Sequence, residues 1–307
     1  MKLNASYTSL VAVGDSFTEG MSDALPDGSY RGWADLLAAR LAARTPGFRY
    51  ANLAVRGKLI GQIADEQARA AAELRPDVVT LVGGLNDTLR PKCDMGMVRG
   101  RLEEAAGRLA PACGQLVLMR SPGRNGPVME RFRPRMEELF SFIDDLAARH
   151  GALVVDLYGA PVLGDQRLWD VDRLHLTADG HRRVAEAVWQ TLGLAAEDDW
   201  RAPLPPATAA RWAARRTSDL RFAREHLVPW IGRRLTGRSS GDGRSGAQFC
   251  ARSGKAFWIT PADDGAPGPV TGWRRLEAAP EVPGLADGPD VPDGRGLPDA
   301  PSLPDGP

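Results

Sequence analysis

Lysine, histidine and cysteine are scarce in this chain of 307 residues. Of its 39 basic side chains only Lys2, Lys58, Lys92 and Lys255 are lysines, and there are four histidines and three cysteines. Cys93, Cys113 and Cys250 are odd in number and far apart. That pattern supplies neither a disulfide framework nor a zinc motif, and a reducing compartment is expected. No apolar run approaches the roughly 20 residues that cross a bilayer. The run Leu10–Val13 ends at Gly14-Asp15, too short for the apolar core of a secretory signal, so a cytoplasmic location is expected. Net charge is lacking too, with 39 basic against 39 acidic groups, which argues against a nucleic-acid partner. That balance is an average over unlike pieces. Residues 1–200 carry 24 basic and 27 acidic groups, residues 201–244 carry 10 and 3, and residues 245–307 carry 5 and 9.

With 43% hydrophobic and 25% charged residues, the chain can bury a sizeable core. Short apolar runs alternate with longer helical patterns. Strands are predicted at Ser9–Val13, Phe48–Leu53, Val78–Val82, Leu116–Met119 and Leu153–Leu157. Helices are predicted at Tyr30–Arg44, Ile60–Leu74, Val98–Leu109, Glu130–Arg149, with Pro134 placing its firm start near that point, and Ala178–Leu192. Such alternation implies βαβ crossovers and a parallel sheet covered on both faces. Ligands of such sheets bind beyond the C-terminal strand ends, where strand order switches. Three units follow: a domain over 1–196, an Arg-rich helical extension over 197–244 and a tail over 245–307. Residues 201–208, with three prolines, read as a linker. From Pro261 onward there are 11 prolines and 8 glycines in 47 residues, too little apolar surface to offset chain entropy, so disorder is expected.

Four short blocks follow the strands. Gly14-Asp15-Ser16-Phe17-Thr18-Glu19-Gly20 places a serine directly beyond the first, where a nucleophile would be presented. By itself Gly-Asp-Ser is common in turns. It also differs from the Gly-x-Ser-x-Gly elbow, because the next glycine lies four residues on. Gly57 follows the second strand and Asn86 the third. A backbone N–H and an Asn amide suit a developing oxyanion, although each is equally at home in a turn or cap. In Asp172-Arg173-Leu174-His175, an Asp three residues before a His can accept its Nδ1–H and leave Nε2 free as a base. Asp170 is the alternative partner. Of the other histidines, His150 ends a predicted helix, and surface roles are expected for His181 and His226.

In order and spacing, Gly14-Asp15-Ser16, Gly57, Gly84-x-Asn86-Asp87 and Asp172-x-x-His175 resemble the SGNH, or GDSL-type, hydrolase family over residues 9–192. Phe17 stands where the family usually has leucine. The resemblance implies a three-layer α/β/α flavodoxin-like sandwich with a five-stranded parallel sheet. It implies Ser16 as nucleophile and oxyanion donor, Gly57 and Asn86 as further donors, His175 as base and Asp172 as its partner. It also implies a cycle through an acyl-enzyme, needing no cofactor and no metal. The substrate would be a small-molecule carboxylic ester, with acyl transfer, thioester cleavage and sugar deacetylation sharing the same motifs. Arg120 and Arg124 in the loop after the fourth strand could meet an anionic leaving group, though loop arginines are more often solvated. Trp169 could line a pocket or pack. A reading of another class comes from Leu220, Leu227, Ile231 and Leu235 among arginines. A basic amphipathic helix can bind an anionic membrane or partner, but packing on the domain is favoured. Oligomeric state is not legible.

Overall fold

In a computed structural model of the chain, the described residues are 6–25, 30–123, 127–206, 257–258 and 274–275. The predicted basic helix and most of the Pro/Gly-rich tail lie outside them, as do Arg124, His226 and Cys250. The chain runs β1 (Ser9–Val13), α1 (Ser16–Glu19), α2 (Trp33–Arg44), β2 (Arg49–Asn52), α3 (Ile60–Gln62), a π-helical turn (Ile63–Gln67) and α4 (Ala68–Leu74). It continues through β3 (Val78–Leu81), α5 (Leu85–Thr88), α6 (Met95–Leu109), β4 (Gln115–Arg120), α7 (Pro127–Glu130), α8 (Arg133–His150), β5 (Leu153–Asp156) and α9 (Ala178–Thr191). Two further strands, β6 (Phe257–Trp258) and β7 (Arg274–Arg275), pair antiparallel.

β1 to β5 form one parallel sheet in the order β2-β1-β3-β4-β5. Every residue of β1 is buried, and its side chains alternate between two cores. Leu10 and Ala12 pack with Trp33, Leu37 and Leu41 of α2 and Val184, Val188 and Trp189 of α9. Val11 and Val13 pack with Ala68 and Ala71 of α4, Leu102 of α6 and Leu139 and Ile143 of α8. The result is the expected α/β/α sandwich, a layer of helices on each face of a sheet too apolar to meet water. Ala68 and Ala71 of α4 are fully buried in that second core. Among the described residues no helix is long and apolar enough to cross a membrane.

Strand ends fall within one residue of the sequence expectation, whereas two helices, α2 and α6, start three residues away from it. Caps account for the shifts. Gly32 N–H donates to Asp35 Oδ2 at 2.8 Å and opens α2 at Trp33. Asp94 accepts from Met97 N–H at 3.1 Å and opens α6 at Met95. Pro134 lies in the first turn of α8, where a missing N–H costs nothing. The segment expected as a linker packs as far as it is described. The Ala202 carbonyl accepts from Arg183 Nη1 at 2.8 Å, Leu204 packs against the first core, and the Pro205 carbonyl accepts from Arg167 Nη1 at 2.6 Å.

His181 corrects the surface role expected of it. The imidazole is fully buried, because capping of α9 by Thr177 turns position 181 inward toward α2. Both ring nitrogens are satisfied. Trp33 N–H donates to Nδ1 at 3.3 Å, and Nε2–H donates to the Met21 carbonyl at 3.1 Å, which defines a neutral Nε2–H tautomer. His181 thereby ties the segment after α1 to the start of α2. Burial drives its pKa down to about 4. Nearby, burial pushes the Asp35 carboxyl up to about 7, against hydrogen bonds from Gly32 and Tyr50. The two act oppositely on stability. As pH falls from 6.5 toward 4 the unfolded chain protonates its histidine and the folded one does not, so the neutral His181 loses its advantage. Asp35, raised, contributes at low pH and loses that contribution as pH rises through about 7. Comparison with His181→Gln isolates the histidine. In denaturant titrations the parent should gain ~3 kcal/mol over the variant between pH 4 and 7, and a constant difference would contradict this account.

Candidate active site

β1 lies between β2 and β3. α2, after β1, packs on one face of the sheet while α6, after β3, packs on the other, so a crevice opens between the C-terminal ends of β1 and β3. The loops after β1, β2 and β3 meet there. Gly14 ends β1 with no room for a side chain, since a Cβ would lie 2.6 Å from Thr18 Oγ1 and 2.8 Å from the Val82 carbonyl. The Gln67 amide, at the end of the π-helical turn, accepts from Gly14 N–H at 2.7 Å and donates to the Gly14 carbonyl at 3.0 Å. Asp15 then caps α1, its Oδ1 accepting from Phe17 N–H at 3.1 Å. Ser16 is therefore the first residue of a short helix in which the N–H groups of Thr18 and Glu19 turn back to the Asp15 carbonyl at 3.1 and 2.9 Å. At that first position a backbone N–H has no intrahelical acceptor. Gly20, at φ 89°, ends that helix.

Beyond β2 the chain makes a β-turn over Val55–Lys58, closed by Lys58 N–H to the Val55 carbonyl at 3.3 Å. Gly57 takes the left-handed position of that turn at φ 75°, a conformation glycine adopts without strain. Beyond β3, Gly84 at φ 90° starts α5. The Asn86 amide donates to Asp15 Oδ2 at 2.9 Å and to the Lys58 carbonyl at 3.2 Å. Its neighbour Asp87 is buried and accepts from Ile60 N–H at 3.0 Å, capping α3. Ser16, Gly57 and Asn86 are thus joined through Asp15 and Lys58.

The fourth element is the loop between Trp169 and Leu176, which bridge antiparallel. Asp170 N–H donates to the His175 carbonyl at 2.9 Å, and Arg173, at φ 51°, turns the chain back. Inside this loop the Asp172 carboxylate has three donors. Oδ1 accepts from Leu174 N–H at 2.8 Å and His175 N–H at 3.0 Å, and Oδ2 lies 2.5 Å from His175 Nδ1. His175 Nε2 lies 3.0 Å from Ser16 Oγ, across 159 positions of sequence. Burial raises the Asp172 carboxyl, but the bond to His175, its charge and the two backbone donors outweigh that and leave it below the usual carboxylate value. An ionised Asp172 fixes the proton on Nδ1 and leaves the Nε2 lone pair facing the serine. Of the two aspartates considered, Asp172 faces the imidazole, and Asp170 meets His175 through its backbone.

A family model described as GDSL-like Lipase/Acylhydrolase family matches residues 12–183. The chain belongs to that family. It is accordingly an ester-cleaving hydrolase. Esterase TesA of Pseudomonas aeruginosa is 30% identical over 192 residues, which cover 61% of this chain and 89% of TesA. The crystal structure of LAE5, an alpha/beta hydrolase enzyme from the metagenome of Lake Arreo, Spain, superposes with a TM-score of 0.54 at 26% identity. That match covers 62% of this chain and 97% of LAE5. Axe2, an acetylxylan esterase from Geobacillus stearothermophilus, superposes with a TM-score of 0.53 over 65% of this chain and 98% of its own. At 19% identity, Axe2 bears on the fold alone.

Other sequence readings resolve differently. Arg120 ion-pairs with Asp144 at 3.2 Å and Asp156 at 2.7 Å, so its guanidinium is engaged by carboxylates rather than offered to an anion. Trp169 is half-buried against the first core, and its indole N–H donates to the Leu163 carbonyl at 2.8 Å. Among the described residues no group of three or more His, Cys, Asp or Glu side chains could hold a metal ion. Gln67, Glu19 and Arg56 carry no motif that marks them in the sequence. The available signal was adjacency: Glu19 is one helical turn past Ser16, and Arg56 immediately precedes Gly57. Replacing Gln67 by the near-isosteric Leu removes the acceptor of a buried Gly14 N–H. Chemical denaturation should show a loss of ~1–3 kcal/mol, and unchanged stability would mean another group takes over that N–H.

Proposed function

We propose that Ser16, His175 and Asp172 are the catalytic triad of this ester hydrolase, with the N–H groups of Ser16 and Gly57 and the side-chain amide of Asn86 as oxyanion donors. The observation that carries the reading is the unbroken relay from Ser16 Oγ to His175 Nε2 at 3.0 Å and from His175 Nδ1 to Asp172 Oδ2 at 2.5 Å. The Ser16 hydroxyl oxygen attacks the acyl carbonyl carbon as its proton passes to His175 Nε2. Asp172 stabilises the resulting imidazolium. The carbonyl oxygen gains the negative charge and draws on the three donors. When the tetrahedral intermediate collapses, the bond to the leaving oxygen breaks and His175 returns the proton to it. Water then attacks the acyl-serine by the same route, with His175 again as base, and releases the acid.

The donors favour this assignment for separate reasons. Among the described residues the N–H groups of Ser16 and Gly57 meet no protein acceptor, so no protein bond competes with an oxyanion for them. The Asn86 amide is held by its bonds to Asp15 and Lys58, and a developing oxyanion shares one of its hydrogens. Preorganised donors of this kind each contribute about 3 kcal/mol to transition-state stabilisation. The substrate class is a carboxylic ester; we assign the chemistry to residues 1–196, with 197–244 and 245–307 accessory.

Turnover of a short aryl ester tests the roles. Ser16→Ala and His175→Ala should each lose several orders of magnitude in kcat, and an undiminished Ser16→Ala would sink the assignment. Asn86→Ala should lose ~10²–10³ in kcat. Asp172→Asn should be far more damaging than Asp170→Asn, and the reverse ranking would reassign the imidazole's partner. A panel of esters of rising acyl length, with thioesters and acetylated sugars, would rank acyl and leaving groups by kcat/KM.

A further inference from the structure

Glu19 and Arg56 form a buried ion pair that the mechanism above does not use. Their side chains are 8% and 10% exposed. Arg56 Nε donates to both carboxylate oxygens at 3.0 Å, Nη2 donates to Oε1, and the Arg56 backbone N–H donates to Oε2 at 2.6 Å. One carboxylate therefore holds both the side chain and the main chain of the same arginine. The guanidinium also lies over the Tyr30 ring, its Cζ 4.8 Å from the centroid. Taking two charges out of water costs several kcal/mol per ion, so a pair this completely hydrogen-bonded is suited to specifying geometry.

What it specifies is visible in the turn that Arg56 belongs to. Val55 N–H donates to the Gly14 carbonyl at 3.3 Å, Arg56 N–H to Glu19, and Lys58 N–H to the Val55 carbonyl. The Lys58 carbonyl accepts from Asn86. Three of the four amides of the turn are thus committed, and the remaining one is Gly57. Glu19 lies one turn beyond Ser16 on α1, so the carboxylate connects the serine's helix directly to the peptide preceding that amide. We propose that the Glu19–Arg56 pair is a positioning device that locks the Val55–Lys58 turn against α1, setting the Gly57 N–H alongside that of Ser16 for the oxyanion. The inference rests on the assignment of Ser16 and Gly57 made above. The pair acts through the backbone and touches no reacting atom, so a misplaced donor lowers kcat and leaves ground-state binding intact.

The test measures kcat and KM for a short aryl ester, and Ki for an aryl trifluoromethyl ketone, in the full-length protein. Serine adds to the ketone carbon and its oxygen becomes an oxyanion, so Ki reports the donors directly. Glu19→Gln keeps an acceptor for Arg56 N–H but loses the charge and the two-oxygen grip. In protein shown by near-UV circular dichroism to be folded, kcat should fall ~10–100-fold, KM should stay within about twofold, and Ki should weaken in step with kcat. Parental kcat and Ki would overturn the proposal, as would a loss of kcat without one in Ki. A rise in kcat would also overturn it, because Arg56 would then be acting as a charge rather than as a tether. If Glu19→Gln does not fold, Arg56→Lys serves: it keeps its backbone N–H and its charge, and a parental kcat there would defeat the idea. Ser16→Ala run alongside separates the two levels. An inert Ser16→Ala beside a fully active Glu19→Gln defeats the positioning role alone, whereas an active Ser16→Ala defeats the assignment of the site.

Discussion

The structure depends on β1 being buried on both faces and paired on both edges. A strand in that position has no freedom of register, since a one-residue slip would exchange the side chains that enter the two cores. With β2 on one side and β3 on the other, the segments leaving the three strands converge over the same crevice. Ser16, Gly57 and Asn86 come from those segments. Their meeting follows from strand order, and the remaining site residues arrive from the far end of the domain on a loop closed by the Trp169–Leu176 bridge.

Strand order brings loops into reach, but it does not fix donors to a fraction of an ångström. That precision comes from buried and half-buried polar side chains that satisfy backbone groups. Gln67 holds Gly14, Asp15 holds Phe17, Asp87 holds Ile60, and Asp172 holds Leu174 and His175. Each is a side chain anchoring a main chain, so the cost of desolvating the polar group is offset by a bond the loop would otherwise lack. Gln67 reaches Gly14 from the π-helical turn. The wider turn, uncommon and frequent at functional sites, interrupts what would otherwise be one helix from Ile60 to Leu74.

Hydrophobic patterning makes the layers legible because burial on both sheet faces demands continuous apolar runs, and those runs have sharp ends. Helix starts are less legible. They are set by single capping bonds, such as Asp94 to Met97, that shift the first turn without altering periodicity. The histidines show the same division. His175 stands out through the aspartate three positions before it. His181 carries no local mark of burial, and its two partners, Trp33 and Met21, are 148 and 160 positions away. Its neutral buried state, like the raised Asp35 carboxyl nearby, is a product of packing at the start of α2.

The scarcity of histidine and cysteine in the chain already narrows the chemistry open to it. Residue type and local spacing are enough to fix the alternating α/β architecture and the four blocks that carry the family likeness. They also make Asp172 an able partner for His175, since three residues suffice to fold a carboxylate back onto a ring. Long-range packing alone brings His175 to face Ser16, holds Asn86 between Asp15 and Lys58, and closes Glu19 on Arg56. Those contacts join residues between 28 and 159 positions apart, and their geometry is set by strand order and buried hydrogen bonds, neither of which has a local signature in the chain.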